Sequence, residues 1–189
     1  MDEELKNTLQ EGEKVLWEGK PENFITLDNT NKKPFIIKVV ITAVVCIALI
    51  VAYCAATIPL DNFKPALPIV IAAFGILIAS GTFLDARKLR RQRYYITDRR
   101  LIWISDSTRS VPFETIQEYL FSRDEDDHMT LLVGVDAVKK KSHKWRSMAA
   151  GSVFMNDDTG VCEQAVFYAI PRAEQFKKIF EEQLQKHQK

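Results

Sequence analysis

The sequence predicts a membrane α-helical hairpin of two transmembrane helices, followed by a small β-barrel or sandwich of about seven strands capped by a C-terminal α-helix. Three observations carry this reading: two long uncharged apolar runs, a series of short β-rich runs beyond them, and a switch to helical periodicity after Pro171. The 189 residues hold 26 basic and 25 acidic side chains, for a net charge of +1, which excludes a nucleic-acid binder working through a global basic field. Cys46, Cys54 and Cys162 form no Cys-x-x-Cys pair, which excludes a disulfide framework and a four-thiolate zinc site.

The first apolar run is Val39–Ile58 and the second Ala66–Leu84. At 1.5 Å per helical residue each measures about 30 Å, the thickness of a bilayer's hydrocarbon core. The chain ahead of them is acid-rich and mixed in charge, unlike a signal sequence. Only Pro59–Pro65 separates the runs, so they read as a tight antiparallel hairpin. Lys32, Lys33 and Lys38 precede it, and Arg87, Lys88, Arg90, Arg91 and Arg93 follow it, whereas the connecting loop has Lys64 alone. Basic residues mark the cytoplasmic side. The expected layout is a cytoplasmic N-terminal segment (1–34), a hairpin (35–84, spans 39–58 and 66–84) and a cytoplasmic domain (85–189). Helices in lipid associate through small residues, so Ala48, Ala52 and Ala56 are expected to face Ala72, Gly75 and Ala79. Neither span carries an Asp, Glu, Lys, Arg or His, and Thr42, Tyr53, Thr57, Ser80 and Thr82 are their only polar side chains, which argues against a transport path.

Beyond the hairpin, YYIT (Tyr94–Thr97) and RLIWIS (Arg100–Ser105) flank a tight turn at Asp98-Arg99. Further strands are expected at VPF (Val111–Phe113), IQEYLFS (Ile116–Ser122), MTLLVG (Met129–Gly134), GSVFM (Gly151–Met155) and QAVFYAI (Gln164–Ile170), with a turn at Asn156–Gly160. Phe176, Ile179, Phe180 and Leu184 then form one apolar stripe on a charged helix. That helix is expected to plug an open end of the barrel.

The order GEKVLWEGKP (Gly12–Pro21), hairpin, YYITDRRLIWI (Tyr94–Ile104), PFETIQE (Pro112–Glu118), GSVFM and FYAIPRAEQFKKIF (Phe167–Phe180) resembles the bacterial pleckstrin-homology-like membrane proteins. The resemblance covers nearly the whole chain. It implies a seven-stranded PH-like barrel with a C-terminal helix. The chain departs from the plainest pattern at Val135–Ala150, a long basic connection.

Within that connection Lys139, Lys140, Lys141, Lys144 and Arg146 flank Trp145, a composition suited to an anionic bilayer surface. Arg87, Lys88, Arg90 and Arg91 are a topology signal first and a lipid or partner contact second. Thr97, Asp98, Arg99 and Arg100 form the structural motif: Asp98 is expected to accept backbone N–H bonds in the hairpin turn, and one arginine to pair with a carboxylate. Arg123–His128 is acidic but lacks the ligand spacing of a calcium loop, and reads as a hairpin tip. Trp17 belongs to a strand or docking segment and Trp103 to the core. No nucleophile elbow, zinc-helix motif or phosphate-binding glycine loop occurs.

These features describe a non-catalytic, membrane-anchored PH-like module at the cytoplasmic face of the cell (inner) membrane, multi-pass with both termini cytoplasmic. It would offer its domain to lipid head groups, to a peptide, or to a like domain in an oligomer. No cofactor, metal or nucleic acid is expected. The alternatives are an accessory subunit docked into a larger membrane complex through the hairpin, and an enzyme acting on lipids.

Overall fold

The computed structural model describes residues 3–58, 62–151 and 162–188. In chain order the elements are α1 (Glu3–Thr8), β1 (Val15–Gly19), α2 (Asn29–Thr57), α3 (Ala66–Arg91), β2 (Arg93–Thr97), β3 (Arg100–Ile104) and β4 (Thr108–Pro112). They continue with β5 (Tyr119–Arg123), β6 (Met129–Val133), α4 (Val135–Val138), α5 (Trp145–Ala149), β7 (Ala165–Phe167) and α6 (Ala173–His187). The chain divides into two compact units, Thr26–Leu84 on one hand and Met1–Ile25 with Asp85–Lys189 on the other.

In the first unit, α2 and α3 are both long and apolar enough to cross a membrane. Asp28 caps α2 by accepting the Asn31 N–H at 3.1 Å. Val44, Ile47, Phe74 and Ile76 are each more than 60% exposed, so the helices present apolar side chains to their surroundings, as lipid-facing helices do. The helix contact differs from the expected one. Ala48, Ala52, Ala56 and Ala72 are exposed, while Thr42, Cys46, Ile50, Tyr53 and Thr57 on α2 and Ile71, Gly75 and Ala79 on α3 are partly covered. The reason is a notch at Gly75, where an added Cβ would lie 2.8 Å from Cys46 Sγ. The Cys46 thiol seats there, 3.7 Å from the Ile71 carbonyl it donates to. At the loop, the Tyr53 hydroxyl accepts the Lys64 N–H at 2.9 Å and donates to the Lys64 carbonyl at 3.1 Å.

The second unit holds all seven described strands, in two antiparallel sheets ordered β1-β2-β3-β4 and β5-β6-β7. One core lies between them, built from Trp17, Tyr94, Trp103, Leu131 and Phe167 together with Phe176, Phe180 and Leu184 of α6. The sheets do not close into the expected barrel. Between β4 and β5 the chain makes a 3-10 turn at Phe113–Thr115, and the aromatic wedge of α6 occupies this corner: Phe180 lies 5.9 Å from Phe113, 5.1 Å from Tyr119 and 5.5 Å from Phe121, ring centre to ring centre.

The uninterrupted apolar runs in β2 and β3 have a simple cause: both faces are covered. Tyr94, Ile96, Leu101 and Trp103 face the main core, while Tyr95, Ile102 and Ile104 pack under Leu5 of α1, with Leu9 and Val15 alongside. The N-terminal segment therefore belongs to the folded domain, with β1 paired to β2 through a register shift between Val15 and Trp17. Other boundaries also moved. The third predicted strand starts earlier, at Thr108, because Phe113 opens the 3-10 turn; the last stops at Phe167, ahead of Ala169 at φ 53°. Most of GSVFM, and the whole Asn156–Gly160 turn, lie outside the described residues.

Candidate functional site

The basic connection expected to be an irregular loop is largely helical. Gly134, at φ 90°, turns the chain out of β6 into α4. A 3-10 turn at Ser142–Lys144 then leads into α5. The outer face of the three-stranded sheet explains the folding: Ala137, Trp145, Met148 and Ala149 are buried there with Leu132, Val166 and Tyr168. The Trp145 indole donates to the Lys140 carbonyl at 3.0 Å, fixing the intervening turn.

Burial splits the predicted basic residues into two groups. Lys139, Lys140, Lys141 and Lys144 are exposed. Trp145 and Arg146 are 5% and 4% exposed, so neither is available to a lipid surface as the sequence reading expected. The physical reason for Arg146 is a set of internal partners for its terminal guanidinium nitrogens. It donates to the Ile25 carbonyl at 2.9 Å and to the Tyr168 hydroxyl at 2.8 Å, and lies over the rings of Phe24 and Tyr168 at 4.5 and 5.0 Å. Tyr168 in turn donates to Asp124. Burial, and then the hydrogen bond to Asp124, push the Tyr168 phenol far above its ordinary pKa, against the opposing pull of Arg146.

Asp124 is the hub beneath the β5–β6 turn. Its side chain is fully buried and accepts the N–H groups of Asp126 at 3.0 Å and His128 at 2.9 Å. His128 Nδ1 sits 3.3 Å from both carboxylate oxygens and from the Tyr168 hydroxyl. The Arg123–His128 segment is the hairpin tip, and Asp127 within it takes φ 66° and pairs with Arg123 at 2.8 Å.

Around the exposed lysines the local potential is positive. The His143 imidazole is held below its ordinary pKa, by burial first and then by the charges of Lys144 and Lys141. Arg87, Lys88, Arg90 and Arg91 are exposed on the last turns of α3, where Ala86 and Leu89 are buried beside Phe24 and Trp145. Arg90 has a structural task as well, donating to the Phe24 carbonyl at 3.0 Å with its guanidinium 5.2 Å from that ring.

Thr97, Asp98, Arg99 and Arg100 clasp the N-terminal segment. Asp98 accepts the Lys14 N–H at 2.9 Å, across the β1–β2 pair rather than within the hairpin turn. Arg99 reaches the side chain of Gln10 at 3.1 Å. Arg100 meets Glu13 through Nε at 3.0 Å and a terminal nitrogen at 2.9 Å, and donates to the Thr8 carbonyl at 2.8 Å. Thr97 and the Gln10 N–H complete the carboxylate's set at 2.7 and 2.8 Å. Glu13, Asp124 and Tyr168 are the members that sequence reasoning missed; Glu13 lies far along the chain from Arg100, and Asp124 from Tyr168, and a Glu or Asp in a polar stretch gives no local sign of burial.

No protein-family model, curated protein or solved structure matches this chain.

Proposed function

We propose that the protein is a membrane-tethered, non-catalytic interaction module, with a PH-like domain at the cytoplasmic face of the cell (inner) membrane, and that Lys139, Lys140, Lys141 and Lys144 meet anionic lipid head groups there. The observation carrying the reading is the division of the basic segment. Trp145 and Arg146 are buried and anchor it on the sheet unit, while the four lysines project without an ion pair among the described residues.

Near an anionic leaflet each lysine contributes about 1 kcal/mol. Four such contacts are weak for a free domain but effective for one already held at the surface by a hairpin, where the local lipid concentration is high. The pairing of β1 with β2 supports the same-side layout: one strand precedes both spans and the other follows them, so an even number of crossings must separate them. The excess of basic residues before α2 and at the end of α3 supports the cytoplasmic side. Two packed antiparallel sheets with a C-terminal helix in the core are the coarse ingredients of a PH-like domain.

The test is hydrogen exchange on the full chain in nanodiscs, comparing phosphatidylglycerol-containing with purely phosphatidylcholine bilayers. Slower exchange across residues 139–146 in the anionic discs, lost when Lys139, Lys140 and Lys141 are changed to Gln, is the expected result. Equal exchange in both discs would overturn the lipid contact. Cleavage of the C-terminal helix by external protease on intact cells would overturn the orientation.

A further inference from the structure

We propose that β5 is a docking edge for an extended segment of a partner protein, with basic residues at the C-terminal end of that segment. The argument begins with hydrogen-bond parity. In an antiparallel pair, alternate residues turn both backbone groups toward the partner and the rest turn them away. The Gly134 N–H donates to the Glu118 carbonyl at 2.8 Å, and Tyr119–Arg123 continue this register against Val133–Met129. Leu120 and Ser122 therefore spend their backbone groups on β6, and Tyr119, Phe121 and Arg123 direct theirs outward. None of the described residues bonds to them.

Each of the other three sheet edges carries a device that blunts pairing. β1 is broken by a register shift, β4 contains Pro112 and gives its Ser110 carbonyl to the Cys162 N–H, and β7 is three residues long. β5 has neither proline, lysine nor bulge, and it presents Tyr119 and Leu120 at 38% and 41% exposure. A regular edge of this kind, with α6 rings packed on Tyr119 and Phe121 beside it, suits an added strand, which supplies the missing backbone partners.

Charge selects the occupant. Where β5 begins, β6 ends and β7 is about to start, a cavity of about 440 Å³ is lined by Glu114, Glu118, Glu163 and Gly134. Its three carboxylates are exposed. A strand added antiparallel to β5 runs from Arg123 toward Tyr119, so its C-terminal residues arrive at this acidic end. Lysine or arginine there meets opposite charge. The lysines at 139–144 play no part, so this inference does not rest on the lipid reading.

The test uses the full chain in phosphatidylcholine nanodiscs, which give a cationic peptide no anionic lipid to bind. The probes are the fluorescein-labelled peptide Ac-TVTVTRR, the same peptide ending in EE, and the RR peptide N-methylated at alternate residues so that it cannot pair. Fluorescence anisotropy and amide exchange are read together. The RR peptide should bind and protect the amides of Tyr119, Phe121 and Arg123. Changing Glu114, Glu118 and Glu163 to Gln should weaken it roughly tenfold, the sum of three exposed ion pairs. The EE and N-methylated peptides should not bind. Failure of the RR peptide to bind, equal binding by either control, or protection elsewhere would overturn the proposal. So would protection of the same amides that rises with protein concentration alone, since the occupant would then be a second copy.

Discussion

Changing Glu13 to Gln tests whether the N-terminal segment is locked to the domain by one buried carboxylate. Four donors converge on its two oxygens: Thr97 and Arg100 Nε on one, the Gln10 N–H and an Arg100 terminal nitrogen on the other. The side chain is fully buried and Arg100 is 14% exposed. An amide cannot satisfy this set: in place of one oxygen its NH2 meets Arg100 Nε, while the Thr97 hydroxyl can turn to the Arg100 carbonyl, and in place of the other it meets the Gln10 N–H and an Arg100 terminal nitrogen. At least one donor is orphaned and a largely desolvated guanidinium loses its countercharge, so the loss should be about 2–4 kcal/mol. Trp17, Trp103 and Trp145 all lie in the sheet unit and none in the hairpin, so intrinsic fluorescence follows unfolding of that unit alone. In urea the midpoint should fall by about 1–2 M. There is also a pH signature. Burial of Glu13 pushes its pKa up, but hydrogen bonds from Arg100, Gln10 and Thr97, with the Arg100 charge, outweigh it and hold the carboxyl below its ordinary 4.5. A depressed folded-state pKa contributes stability above the ordinary value, and that contribution is lost as pH falls through the lower folded value. The E13Q variant should lack this acid-labile increment. A midpoint within about 0.3 M of wild type would refute the reasoning.

Two further predictions concern the core and the hairpin. Gly75→Cys, in a background where Cys54 and Cys162 are Ala, should cross-link to Cys46 on mild oxidation, because its Cβ position lies 2.8 Å from that sulfur. Ala72→Cys should not, and mass spectrometry of the digested protein distinguishes them. The phenols of Tyr94 and Tyr168 are both raised far above 10, chiefly by burial. A raised folded-state pKa contributes stability below the ordinary value that is lost as pH rises past it. Their phenolate absorbance should therefore appear only together with alkaline unfolding; a titration of all five tyrosines in the folded protein would contradict this.

The hairpin was legible because the absence of charge over some twenty residues is a property of a contiguous stretch. Its contact face was not, since Ala48, Ala52 and Ala56 have the right spacing and sit on the wrong side; the notch depends on one missing side chain, at Gly75, opposite one sulfur. The β2–β3 hairpin and the α6 stripe were legible for the same local reason. The pairing of β1 with β2 was not, because residues 20–92 intervene. Within the candidate site, Lys139–Lys141 read correctly as exposed, but Arg146 and Asp124 did not read as buried. A charge is interior only when distant partners such as Tyr168 receive it, and no window of sequence contains them.

The placement of β1 ahead of the spans has a consequence for biogenesis. The ribosome finishes Gly19 and must add residues 20–92 before Arg93 opens the neighbouring strand, a delay of roughly 4–15 s at ordinary translation speeds. Throughout it Trp17 waits without its pocket, and chaperones or proteases have time to find it. Sheet completion is thereby made contingent on a finished hairpin. A chain halted with one span inserted would hold β1 across the bilayer from its mate.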